Sequence, residues 1–125
     1  MQWRPTRNSG EPSVGMYVSE GRLQLQVNPH NGDGSTAGPP RVLWSGPLDR
    51  GRWHHYRLRV TWSGSDRRGA LKLWVDGRAA TPQVRVRTLY PGEGAYLKQG
   101  YYRQSGIRTP GIVFHDGLIV TQTSR

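Results

Sequence analysis

Residues 53–77, "WHHYRLRVTWSGSDRRGALKLWVDG", contain two runs of strict alternation joined by a polar loop. In the first run Tyr56, Leu58, Val60 and Trp62 fall on one side of an extended chain, with His55, Arg57 and Arg59 on the other. In the second, Leu71, Leu73 and Val75 form the apolar set. "SGSDRRG" (63–69) supplies the residues of a hairpin loop, and Asp76-Gly77 is a turn signal of the kind that closes two-residue hairpins. Period-2 patterning on both sides of a turn predicts an antiparallel hairpin with one buried and one solvated face.

The same pattern recurs along the chain. "VGMYV" (14–18) and "RLQLQV" (22–27) flank "SEG", and in the second run Leu23, Leu25 and Val27 oppose Arg22, Gln24 and Gln26. "RVLW" (41–44) reads as a short strand and "QVRVRT" (83–88) as another. "IVFHDGLIV" (112–120) reads as a hairpin with Asp116-Gly117 at its tip. Helical periodicity is nearly absent. Many short strands between Gly-, Pro- and Asp-rich turns predict an all-β, antiparallel β-sandwich of jelly-roll type, forming a single domain over residues 1–125. Core packing is the favoured role of Trp3, Trp44, Trp53, Trp62 and Trp74, although Trp74 alternates away from Leu73 and Val75, towards the other surface.

The 125 residues carry 18 Lys and Arg against 8 Asp and Glu, a formal charge of +10. That balance points to polyanionic partners: nucleic acid, acidic polysaccharide or an anionic surface. With no cysteine, disulfides and thiolate metal sites are excluded. No apolar stretch is long enough for a membrane-spanning helix. The glycine-rich "NGDGSTAG" (31–38) lacks phosphate-loop spacing and runs into Pro39-Pro40 instead of a helix. His54 and His55 are adjacent on a strand and face opposite ways, while His30 and His115 stand alone, which argues against zinc. Asp33, Asp76 and Asp116 lack calcium-loop spacing, so no cofactor is expected and calcium has no support. No G-x-S-x-G elbow is present, and Glu20 and Glu93 sit in turns, so serine hydrolysis and two-carboxylate glycoside hydrolysis find little footing.

"YLKQGYYRQ" (96–104) is the most unusual run. Read as one strand, it puts Tyr96, Lys98, Tyr102 and Gln104 on a common face with a gap at Gly100, and offers Leu97 as its only aliphatic residue. Two phenols, an ammonium and an amide around a gap suit a polar, anionic ligand.

This motif resembles the Tyr-Phe-Lys-x-Gly-x-Tyr signature of jelly-roll polysaccharide lyases, whose fold is concanavalin A-like. The similarity extends to "GRWHHYRLRVTWSGSDRRGALKLWVDGR" (51–78) and "MQWR" (1–4), and is greatest to the glucuronan lyase and heparin lyase I-like branch. The 51–78 pattern is shared with laminin-G-like binding modules. The resemblance implies β-elimination on an acidic, uronate-containing polysaccharide, a secreted protein, and further strands upstream of Met1. It implies that Tyr102 is the catalytic tyrosine, with Lys98 supplying the positive charge a phenolate needs and Gln2 neutralising the substrate carboxylate. The family's histidine position falls on Arg4, which can pair with a carboxylate but is a poor general base. Arg4, Tyr96, Gln104, Arg57 and Arg59 are the expected substrate-binding residues. The partner expected is an acidic polysaccharide, neither nucleic acid nor membrane. A non-catalytic module that binds acidic glycans is the rival reading.

Overall fold

A computed structural model describes residues 1–7, 10–31, 35–103 and 105–123. Its nine strands are β1 (Gln2–Pro5), β2 (Val14–Ser19), β3 (Arg22–Val27), β4 (Arg41–Pro47), β5 (Tyr56–Thr61), β6 (Ala70–Val75), β7 (Arg78–Ala79), β8 (Val84–Arg85) and β9 (Ala95–Lys98). They form two antiparallel sheets, and no helix occurs among the described residues. One sheet has the order β4-β3-β2-β1-β9. In the other, β6 pairs with β5 on one side and with the short β7 and β8 on the other.

Turn chemistry sets the hairpins. Glu20 and Gly21 have φ of 51° and 71°, and Asp76 and Gly77 have 50° and 79°. Two consecutive positive φ values give the primed turn whose twist matches that of the flanking strands. The first turn joins β2 to β3 and the second joins β6 to β7. Asp76 also accepts the His55 backbone N–H at 2.8 Å, tying the turn to the residue before β5. At "HDG" (115–117) only Gly117 has positive φ, at 63°. The hairpin expected over residues 112–120 is therefore not formed: this segment holds no strand, and Ile112, Phe114 and Ile119 are largely exposed.

Alternation sorts each strand into an inner and an outer face. Val14, Met16, Leu25 and Val27 of one sheet cluster with Leu71 and Leu73 of the other, and Trp3, Trp44, Tyr56, Leu58, Val60 and Val75 pack around them. The sheets thus lie face to face over one apolar layer, an all-β sandwich as expected. Trp3 and Trp44 take the predicted core role. Trp62 is only partly covered, tilted against Trp3 with centroids 6.2 Å apart. Trp53 corrects the core assignment: it is 70% exposed, because β5 begins three residues later and nothing directs its ring inward.

Thr88 and His30 are buried polar residues that find partners within this frame, whereas Arg87 Nε is buried without one. The Thr88 hydroxyl, fully buried, accepts the Ser63 N–H at 2.8 Å and donates to the Thr61 carbonyl at 2.9 Å, closing the end of β5. His30, which the sequence left isolated, is buried, stacked on Tyr90 at 4.0 Å, with Nε2 2.8 Å from the Leu89 carbonyl. Leu73 has no exposed surface and sits between the two layers. Leu73→Ala is expected to cost about 2–5 kcal/mol of stability, read as a lower denaturant midpoint at unchanged slope.

Candidate functional site

β1 is the strand that builds the site, because it pairs on both edges. With β9 its register is Gln2↔Lys98, Trp3↔Leu97, Arg4↔Tyr96 and Pro5↔Ala95. With β2 it is Gln2↔Gly15 and Trp3↔Val14. Trp3 and Val14 belong to the core, so Gln2, Arg4, Gly15, Tyr96 and Lys98 must face out. The β2–β3 register adds Tyr17↔Gln24 and Gly15↔Gln26 to the same face. A row Lys98, Gln2, Gly15, Gln26 therefore crosses four strands, with Tyr96, Arg4, Tyr17 and Gln24 flanking it.

Gly15 is the low point of this row. A Cβ there would stand 2.5 Å from the Tyr17 hydroxyl, so the Tyr17 ring lies back along its own strand over the bare glycine backbone. The phenol thereby sits in the row between Gln2 and Gln26. Burial, then the nearby Glu11 carboxylate, push the Tyr17 pKa up to about 12, with the Arg4 guanidinium opposing. Tyr17 is thus held as a neutral hydroxyl. The Arg4 guanidinium donates to the Gly10 carbonyl at 3.2 Å, which orients it along the β1–β2 connection. Gln26 donates its amide N–H to the Gln24 side-chain oxygen at 2.6 Å, and the Lys98 ammonium lies 5.6 Å from the centre of the Tyr96 ring.

The β1–β9 corner is clamped from below. Glu93 accepts the Thr6 hydroxyl at 3.0 Å and the Arg7 backbone N–H at 2.8 Å, and the Gly94 N–H donates to the Thr6 hydroxyl at 3.2 Å. Glu93, expected only to occupy a turn, holds the register that gathers the site.

The structure brings together Gln2, Arg4, Tyr96 and Lys98 of the expected residues. It does not add Tyr102 to their face. β9 ends at Lys98, and Gly100 has φ of 154°, a conformation L side chains rarely adopt, so the alternation of 96–104 stops there. Tyr102 lies beyond the strand and is 88% exposed. Gln104 falls outside the described residues. Arg57 and Arg59 are also displaced from the expected site. They lie on β5 in the other sheet, and since Tyr56, Leu58 and Val60 face the core, both arginines project from the far side of the sandwich.

Tyr17 is the residue the sequence reading missed. "VGMYV" alternates Gly15 and Tyr17 against the apolar Val14 and Met16, the same gap-beside-phenol pattern noted at Gly100, and was the available signal. Among the described residues no three His, Asp or Glu side chains gather where they could hold a metal ion.

The Tyr17 environment has a consequence for stability. An unfolded tyrosine loses its proton near pH 10, and folded Tyr17 keeps it to about pH 12. Between these values the folded state binds the extra proton, so stability is undiminished below pH 10 and falls as pH rises towards 12. Burial raises Tyr56 and Tyr90 with the same sign. In denaturant titrations at pH 9 to 12, Tyr17→Phe should show a shallower alkaline decline than the wild type; parallel curves would contradict the buried-phenol assignment.

Against known proteins, the family model described as "Polysaccharide lyase" matches residues 1–119, which takes in every strand of both sheets. No curated protein and no solved structure matches the chain. With nearly its whole length matched and an all-β sandwich beneath the match, the chain belongs to the polysaccharide lyase family.

Proposed function

We propose that the chain cleaves an acidic, uronate-containing polysaccharide by β-elimination, on the outer face of the five-stranded sheet. The observation that carries this reading is the register Gln2↔Lys98 and Arg4↔Tyr96 beside Gly15, which gathers an amide, a guanidinium, an ammonium and a phenol next to the Tyr17 hydroxyl that lies over Gly15. The branch we assign is the glucuronan lyase and heparin lyase I-like one, acting outside the cell.

The chemistry asks for these groups. The C5 proton of a uronate becomes removable when the charge that develops on its carboxylate is held by fixed donors. The Gln2 amide and the Arg4 guanidinium supply them, and Lys98 adds an ammonium one strand away. Elimination then breaks the C5–H and C4–O bonds and forms a C4–C5 double bond, with no water consumed. Tyr17, held protonated, gives its proton to the departing oxygen. Tyr102, the motif tyrosine, takes the C5 proton as its phenolate and so becomes the neutral phenol, while Tyr17 is left as the phenolate until a proton returns to it from water. The absence of a side chain at Gly15 is what lets the Tyr17 phenol lie flat on the sheet, beneath the place a sugar ring would take.

A second reading, a glycan-binding module without turnover, draws on two observations: Arg4 occupies the family's histidine position, and Tyr102 is nearly fully exposed. One experiment separates the two. The protein is incubated with glucuronan, alginate and heparin, and ultraviolet absorbance from unsaturated uronate ends is followed. The elimination reading expects product from at least one polymer, with turnover reduced about 10²–10⁴-fold in Tyr17→Phe or Tyr102→Phe. Gln2→Ala is expected to lower turnover about 10²–10³-fold. Glycan affinity with no absorbing product from the wild type would establish the binding-module reading instead.

A further inference from the structure

The outer face of the four-stranded sheet is a second concentration of positive charge, on the far side of the core from the candidate site. Arg57 stands directly opposite Trp74, and Arg59 directly opposite Lys72. Arg85 joins the face through its pairing with Ala70. Three of these cations converge on one indole: the Arg57 guanidinium carbon is 4.1 Å from the Trp74 ring centroid, the Lys72 ammonium 4.9 Å and the Arg59 guanidinium carbon 5.7 Å. Stacking a single guanidinium would already cover the indole, so packing does not account for three. Like charges placed directly opposite in an antiparallel pair destabilise it. None of Arg57, Arg59, Lys72 and Arg85 takes part in the ion pairs found among the described residues, which involve only Arg52, His54, Asp49 and Asp76.

We propose that this face is a second binding surface for a linear acidic polysaccharide, distinct from the candidate catalytic face. A polyanion laid across β5 and β6 relieves the repulsion between Arg59 and Lys72, and its repeated charges suit cations repeated at every second residue of paired strands. Trp74 positions the cations more than it serves as a stacking platform, because Arg57 already occupies its ring. That favours an anionic sugar chain over unstacked bases, which need a free aromatic face. The choice of polymer rests on the lyase reading; the surface itself does not. Its role is to retain a long chain while the opposite face works on one segment, so it raises affinity for polymers and leaves turnover of short oligosaccharides unchanged.

The sequence offers an internal probe, since its two lysines, Lys72 and Lys98, stand one on each outer face. The wild-type protein is acetylated with a limiting amine-reactive reagent, with and without heparin or polyglucuronate, and each lysine is followed by mass spectrometry. At polymer concentrations ten times the Kd, Lys72 acetylation should slow roughly tenfold. This protection should fall steeply as salt is raised. In an Arg57→Ser, Arg59→Ser variant with an unchanged melting profile, Lys72 protection should disappear while Lys98 protection persists. Lys72 reacting equally fast with and without polymer overturns the second surface, whatever Lys98 does. Loss of Lys98 protection alone removes the catalytic-face reading and leaves this one standing. Duplex DNA protecting Lys72 better than heparin at matched salt overturns the polysaccharide assignment.

Discussion

β1 makes ladder hydrogen bonds on both of its edges, to β2 and to β9, and four residues of it settle which side chains meet. Because side chains alternate with a period of two, a slip of one residue in either pairing would turn Trp3 out to water and put Gln2 and Arg4 into the core. Trp3 packs against the apolar layer, and Glu93 pins the end of the strand through Thr6 and Arg7. Apolar burial on one side and a carboxylate clamp at one end therefore hold an amide, two cations and two phenols on the other side. The polar face exists because the opposite face of the same strands must stay dry.

The charge of +10 is divided by this arrangement into two surfaces with different chemistry. On the five-stranded sheet, cations are mixed with amides and phenols around Gly15, a composition suited to orienting one sugar and moving its proton. On the four-stranded sheet, cations surround a single indole without hydroxyls or amides of comparable number on β5 and β6, a composition suited to holding charge. The sandwich core separates the two, with sheets of such folds lying roughly 10 Å apart. On the proposed reading, a polymer long enough to pass around an edge uses both, whereas a short oligosaccharide uses only one.

Tyr17 and Tyr102 show how a single residue type acquires different standing from its surroundings. Tyr17 lies on bare glycine backbone, half-buried, with its proton held by burial and the Glu11 charge. Tyr102 follows Gly100, whose positive φ lies just beyond the end of β9, and it meets water. The two tyrosines thus divide the proposed proton work between a half-buried donor in the face and an exposed acceptor beyond the end of β9.

Sequence by itself determined the sheet class, the principal hairpins and the sorting of most strands into wet and dry faces. Alternation and paired positive-φ turn residues such as Glu20-Gly21 and Asp76-Gly77 are local constraints, readable without knowing what the strand will meet. Gln2, Arg4, Tyr96 and Lys98 were likewise legible as polar members of alternating or recognisable motifs. What only the tertiary structure decided was which faces coincide. Strand pairing between residues nearly a hundred positions apart brought Gln2 beside Lys98, the stacking of the two sheets put Arg57 and Arg59 on the far side, and the course of the Tyr17 side chain along its own strand laid its phenol over Gly15. The extent of β9 and the unpaired course of residues 112–120 were undecided for the same reason. A strand's length depends on hydrogen-bonding partners supplied from elsewhere in the chain, and alternation within a segment carries no record of them.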